Sequence, residues 1–267
     1  MKFEKMHCNG NDFIIIEDNG LNYSDLAIRL CDVHLGVGAS GLIVVKNNPL
    51  EMVCYSADGT LDYSNNGIFC FVRYCLEHLI VKADIFSVYT KTGIIGVEIT
   101  SKNPFMCKVN LGKPSFVNQM LHISDNISCF GRIINVLDYR VTVYSLYLGG
   151  INTVIFVDSL EVSLTDIALE ISKHKMFKRG TNVIYACVNK QNISIKCYDI
   201  KRGYISSSIS LAAASMVAAS KLALCKSKAK VDTKYGDFTV EYKKEICFIT
   251  GTATKVFSGI LEEVILC

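Results

Sequence analysis

The stretch LDYSNNGIFCFVRYC, residues 61–75, runs from a polar turn straight into an apolar helix. Far downstream SSSISLAAASMVAAS, residues 206–220, has the same construction: polar hydroxyl residues, then a run apolar on nearly every side. A helix without a polar face is buried on most of its surface. Two of them in one chain point to two cores, and the elements around each agree.

In the first half KFEKMHC, DFIIIED, GLIVVKN and LEMVCYSA read as strands, from their β-branched and aromatic residues and the Gly, Asn and Asp that bound them. NYSDLAIRLCDVH has apolar residues at helical spacing after an Asn/Ser start. The buried helix follows, then strands at SVYTKTGIIGVEIT and FMCKVNLG. The second half repeats this order, with strands at INVLDYRVTVYSLYLG and NTVIFVD, an amphipathic helix at SLTDIALEISKHK, strands at NVIYACV and SIKCYDI, and the second buried helix. GKPSF, 112–116, holds one of only three prolines and reads as the hinge. The expectation is a duplicated two-domain α/β (α+β) protein. Its domains are 1–113, completed by a C-terminal strand over 260–267, and 114–259.

Bulk composition narrows the class. Half of the 267 residues are apolar and a fifth are charged, as in a globular chain. A net charge of +3, with no basic run, gives no footprint for nucleic acid. No apolar run approaches the length of a membrane span, and Met1 leads directly into KFEKMHCNGNDF without a signal-peptide pattern. The twelve cysteines include no C-x-x-C pair and sit mostly in apolar runs, which reads as buried thiols of a cytoplasmic protein, with no metal site.

The start of a buried helix presents unpaired N–H groups and the positive end of the dipole. Two such starts could hold a carboxylate, and a base on each side of its α-carbon could invert that centre. The plainer reading is that serine is a good N-cap and needs no catalytic role.

The motifs resemble the diaminopimelate epimerase family. FEKMHCNGNDFIII at 3–16 is similar to the family opening F-x-K-M-H-G-x-G-N-D-F, LGVGASGLIVV at 35–45 to G-I-G-A-D-G-L, and SADGTLDYSNNGIFCF at 56–71 to N-A-D-G-S…C-G-N-G-x-x-C-F. VNLGKPSF at 109–116, FKRGTNV at 177–183, KRGYISSSISLAAAS at 201–215 and ITGTATKVFSG at 249–259 continue the resemblance in order. It implies two pseudo-symmetric domains, each a curved, largely antiparallel sheet wrapped on a central helix, with the site in the cleft between them. It implies an isomerase that needs no pyridoxal phosphate or metal and uses two cysteines as opposed acid and base. By position those cysteines fall on Ser64 and Ser210. The ligand it implies is an amino acid, a small molecule whose α-carboxylate takes amides near Asn65, Asn66, Gly67, Leu211 and Ala212. Asn11, Asn182 and Arg202 contact its other end. The assembly is a single chain or a homodimer, with neither nucleic acid nor membrane as partner.

Departures from the pattern shape the functional expectation. Lys201 stands where the family has Glu, Ser56 where it has Asn, Ser40 where it has Asp, and GGIN at 149–152 where it has G-N-P-H. Lys201 would repel the distal ammonium of diaminopimelate, so a different amino acid is expected; diaminopimelate is the alternative. The serines matter more. A thiol titrates near ~8.5 and an aliphatic hydroxyl, like water, near ~15.7, whereas a helix start shifts a group by roughly 1.5 units. With Ser64 and Ser210 the chain is expected to be nearly inactive, either as a scaffold that keeps binding alone or as one whose cysteines were replaced to trap substrate.

Overall fold

The computed structural model describes residues 1–63, 65–123, 125–161, 165–190 and 192–262. The chain divides into two compact units, Met1–Val109 together with the described residues from Thr250 on, and Asn110–Ile249.

The first unit runs β1 (Lys2–Cys8), β2 (Asn11–Glu17), α1 (Tyr23–Cys31), β3 (Gly41–Asn47), β4 (Leu50–Ser56), α2 (Ile68–Glu77), β5 (Ile85–Thr90), β6 (Gly93–Lys102) and β7 (Phe105–Gly112). Antiparallel pairs join β1 to β2, β3 to β4, β5 to β6 and β6 to β7. The two parallel pairs, β2 with β3 and β4 with β5, each span one helix, because a parallel connection needs a crossover. Helix α1 begins at Asn22, whose side chain accepts the Asp25 N–H at 3.5 Å, as its Asn/Ser start predicts.

Strands β2 and β3 are covered on both faces, which is why FIII and GLIVV are unbroken apolar runs. Ile14, Ile16, Leu42 and Val44 pack with Leu26, Ala27 and Leu30 of α1. The alternate residues Phe13 and Ile43 face the start of α2. Helix α2 buries Ile68 through Val72, Tyr74 and Cys75.

The second unit contains β8 (Phe130–Val136), β9 (Tyr139–Tyr147), β10 (Ile151–Phe156), α3 (Thr165–Ser172), β11 (Asn182–Asn189), β12 (Asn192–Asp199), β13 (Gly203–Ile205), α4 (Ile209–Lys221), β14 (Lys228–Thr233), β15 (Gly236–Lys243) and β16 (Ile246–Gly251), the last crossing out of it. The same grammar recurs. β10 and β11 pair in parallel across α3, and β12 and β14 in parallel across α4; β8–β9, β9–β10, β11–β12 and β14–β15 are antiparallel. Every residue of α4 from Leu211 to Ala219 is buried. Its alanines let β9, β10, β11, β12, β14 and β15 all approach one helix.

The last strand, β17 (Thr254–Ile260), pairs antiparallel with β1, from His7 opposite Thr254 to Lys2 opposite Ile260. The strand expected over 260–267 to complete the first unit is therefore this earlier segment, and residues 263–267 lie outside the described residues. The boundaries expected at 113/114 and 259/260 become 109/110 and 249/250. The proline at GKPSF follows β7, whereas the division falls inside β7. The described cysteines are free thiols; burial pushes Cys8, Cys31 and Cys197 up to about 12. Among the described residues no helix is long and apolar enough to cross a membrane.

Because α4 meets sheet on so many sides, added volume has nowhere to go. Ala213 is fully buried, and Ala213→Leu is expected to destabilise the chain by about 1–3 kcal/mol through overpacking. A fall in the urea midpoint without a change in slope measures it.

Candidate active site

At the first helix start, Ser64 lies outside the described residues. The three that follow it are placed. The Ile68 N–H donates to Asn65 O at 3.1 Å and the Phe71 N–H to Gly67 O at 2.9 Å. Gly67 is the N-cap of α2, with φ −80° and ψ −3°, and no side chain caps this end or adds an acid to its first turn. Its conformation does not demand glycine. A Cβ at Gly67 would lie 2.5 Å from Ile43 Cδ1, so the helix start rests closely on the Ile43 side chain of β3. Asn66 is buried, and Asn65 Nδ2 donates to Thr92 Oγ1 at 3.3 Å.

Asn11 opens β2 opposite Cys8, and its side chain has no hydrogen-bond partner among the described residues. Its neighbour Asp12 is fully engaged. Asp12 Oδ1 accepts from Ser40 Oγ at 2.7 Å and from the Ser40 N–H at 3.0 Å, while Oδ2 pairs with Lys5 Nζ at 3.0 Å. Lys5 also donates to Gly38 O. Burial alone would push the Asp12 carboxyl up, but the bonds from Ser40 and Lys5 outweigh it and hold the group below the usual carboxylate range. Ser40, where the resembling family has Asp, thus serves as a donor that fastens the Gly36–Gly38 loop to β2.

The second helix start is described throughout. Ser210 is the second residue of α4; the N-cap is Ser208, in extended backbone (φ −154°, ψ 134°) with no side-chain cap bond. The capping role open to Ser210 in the sequence is therefore not its position. Ser208 Oγ lies 3.2 Å from Ser210 Oγ, and among the described residues that is the hydroxyl's sole hydrogen-bond partner. No carboxylate, imidazole or amine among the described residues bonds it. The Ala212 N–H donates to Ser208 O at 3.0 Å as the first helical bond. That corrects the expectation that Ala212 offers an unpaired amide: the amides ahead of the ladder are those up to Leu211.

Behind Ser210 stands a glycine turn. Gly149 has φ +63°, and a Cβ on it would lie 3.4 Å from Ser210 Cβ. The turn is tied from below by Asn152, which is fully buried. Asn152 Nδ2 donates to Leu148 O at 3.0 Å and to Gly150 O at 3.1 Å. Asn152 Oδ1 accepts from Asn182 Nδ2 at 3.2 Å, and Asn182 Oδ1 accepts the Ile200 N–H at 3.2 Å. The next turn is closed by Asp199. Its Oδ1 accepts the N–H groups of Lys201 and Arg202 at 2.9 and 3.1 Å, and its Oδ2 accepts from Arg202 Nη2 at 3.3 Å. The structure thus brings Ser210, Asn182 and Arg202 into one connected wall of the second unit. Asn152, Gly149, Ser208 and Asp199 belong to that wall and escaped the sequence reading. Only the GGIN departure at 149–152 flagged their neighbourhood.

Comparison with known proteins gives the family. The sequence matches the diaminopimelate epimerase family over residues 3–117. A diaminopimelate epimerase of Caldanaerobacter subterraneus subsp. tengcongensis is 33% identical over 273 residues, spanning 98% of this chain and 100% of the relative. The chain belongs to the diaminopimelate epimerase family. A second diaminopimelate epimerase, of Archaeoglobus fulgidus, is 30% identical over 97% of this chain and 95% of its own length. Among solved structures, a hydroxyproline epimerase of Agrobacterium vitis shares the fold with a TM-score of 0.70 at 12% identity, covering 97% of this chain and 91% of that one. A PhzF-family phenazine biosynthesis protein of Bacillus anthracis does so with a TM-score of 0.70 at 14% identity, covering 98% and 99%. As an epimerase-family chain this protein has the scaffold of an amino-acid epimerase or racemase, an isomerase.

The Asp12 linkage has a definite sign. A carboxyl depressed in the folded state contributes stability that is present above its unfolded pKa, about 3.9, and is lost as pH falls through the folded value. Asp12→Asn should therefore lower the urea midpoint at pH 7, and the gap to the parent should close as pH is taken below about 4.

Proposed function

We propose that the chain is an amino-acid epimerase scaffold that binds an α-amino acid and, with hydroxyls at both proton-transfer positions, turns it over slowly or not at all. The observation that carries this is the state of Ser210. Its hydroxyl sits in the first turn of α4 and is bonded to another hydroxyl, with no base upon it among the described residues. A serine without a base is a weak nucleophile and a weaker carbon base. Ser64, by its place before Asn65–Gly67, is assigned the matching position in the first unit. The ligand's α-carboxylate is assigned to the starts of α2 and α4, near Asn65, Gly67 and Leu211, where the helix dipole favours an anion without a lysine. The reaction needs no cofactor in this reading, because the two side chains supply and remove the proton.

A second reading has its own support. The relatives are diaminopimelate epimerases, which makes diaminopimelate the first compound to try. Lys201 argues against it, since it takes the position of the family's Glu and would repel a distal ammonium.

Restoring the thiols tests the assignment. The double variant Ser64→Cys, Ser210→Cys should incorporate solvent deuterium at Cα at least about a hundredfold faster than the parent with the right amino acid, the scale of general acid–base catalysis. Mass spectrometry of an amino-acid panel that includes diaminopimelate reads it. No exchange from any member, in a variant that still gains thermal stability from a ligand, leaves a binding protein in place of an enzyme.

A further inference from the structure

We propose that the second unit carries a further binding site, a slot between β9 and β10 that takes a flat heterocycle bearing a phosphate, the chemistry of a purine nucleotide. It is independent of the proposed amino-acid site.

The slot exists because two strands diverge. β9 and β10 are paired from Tyr147 opposite Ile151 to Tyr144 opposite Val154, and there their ladder stops. Each goes on with its other neighbour. β9 stays on β8 as far as Tyr139 opposite Val136, and β10 stays on β11 as far as Phe156 opposite Ala186. A cleft of about 420 Å³ opens between the separating ends, lined from Tyr139 to Thr142 on one side and from Ile155 to Val157 on the other. That volume lies within the range of small-molecule sites, roughly 300–1,000 Å³.

Strand alternation says what the edges of the slot offer. The Ser145 N–H donates to Cys129 O on the β8 side, and the Val157 N–H donates to Ala186 O on β11. Successive residues of a strand turn their N–H and C=O to opposite neighbours, so Thr142 and Phe156 aim theirs into the slot. No register partner stands across from either. Each edge therefore presents a donor and an acceptor in the plane of the sheet. A flat ring lying in that plane, with both functions on its rim, matches them. An alkyl chain or a ring without heteroatoms leaves them unpaired, which is costly in an enclosed site.

Side chains bound the slot on both faces of the sheet. Toward α3, Ile155 and Tyr185 are buried in one core cluster, with Val141, Val157 and Ile167 packed against it. On the opposite face Tyr144 and Phe156 meet edge to face, ring centroids 5.4 Å apart. Apolar and aromatic surface on both sides suits a π-system. Arg140 shares the Tyr144 face of β9, is exposed, and forms no ion pair among the described residues. Its planar fork suits a phosphate carried at the mouth of the slot. Asn152 and Phe156 lie near opposite ends of β10, about 13 Å apart along the strand. No residue lining the slot belongs to the wall around Ser210.

Calorimetric titration of the full chain with adenosine 5′-monophosphate, adenosine and ribose 5-phosphate tests this. The monophosphate is expected to bind about tenfold or more tighter than either of the others, the scale of a charge-assisted contact or of stacking lost. In Arg140→Gln, an exposed change, its affinity should fall to that of adenosine while adenosine itself is unaffected. Thr142→Pro removes a slot donor and no bond to β8, and should weaken both adenine compounds about tenfold. Ribose 5-phosphate binding as tightly as the monophosphate overturns the proposal. So does an Arg140→Gln variant with unchanged affinity for the monophosphate, the result if the phosphate sits at a helix start, and so does the absence of any binding by the monophosphate.

Discussion

The rest of this structure depends on burying one helix on nearly every side within each unit. Such a helix can offer chemistry only at its ends, because its flanks are covered by strands. In the second unit Leu211 to Ala219 are all buried, and six strands contact α4. Alanine makes this feasible, since a small side chain brings the backbone of helix and sheet close. In the first unit the bulky faces of Phe69, Phe71 and Val72 do the filling, and the close approach is concentrated at Gly67, over Ile43. Both helices begin without a side-chain cap bond. The positive end of each helix dipole thereby faces the helix start without a side-chain cap.

Around the second start the backbone is held by side-chain amides. Asn152 is fully buried and would be costly if any of its groups lacked a partner. Its three bonds satisfy it while fixing the Gly149–Gly150 turn and the orientation of Asn182. Asn182 in turn anchors the 199–203 loop through Ile200. One asparagine thus passes a constraint from the floor of the sheet to the charged loop. The first unit uses ionic bonds for the same purpose: Lys5 and Ser40 hold Asp12 and with it the loop of Gly36 and Gly38.

Much of this was legible from residues alone. The unbroken runs FIII and GLIVV announced strands covered on both faces, NYSDLAIRL announced a capped amphipathic helix, and two apolar helices announced two cores. The motifs from residue 3 to residue 259 carried the family. Motif position also singled out Ser210, Asn182 and Arg202. Ser208, Asp199 and Asn152 escaped it, because each acts through a hydrogen bond to a residue whose proximity is set by strand pairing. Asn152 meets Asn182 because β10 and β11 run parallel with those two residues in register.

Sequence by itself determined the element order, the two cores and the chemical weakness of a serine as a carbon base, since periodicity and intrinsic pKa are properties of the residues. Tertiary structure decided which strand closes the first unit, that Ser208 rather than Ser210 is the N-cap, and that Ala212 has no amide to give. Those are outcomes of register and of pairing between distant segments, and a hydrogen bond's partner is chosen by geometry that no single stretch of chain contains.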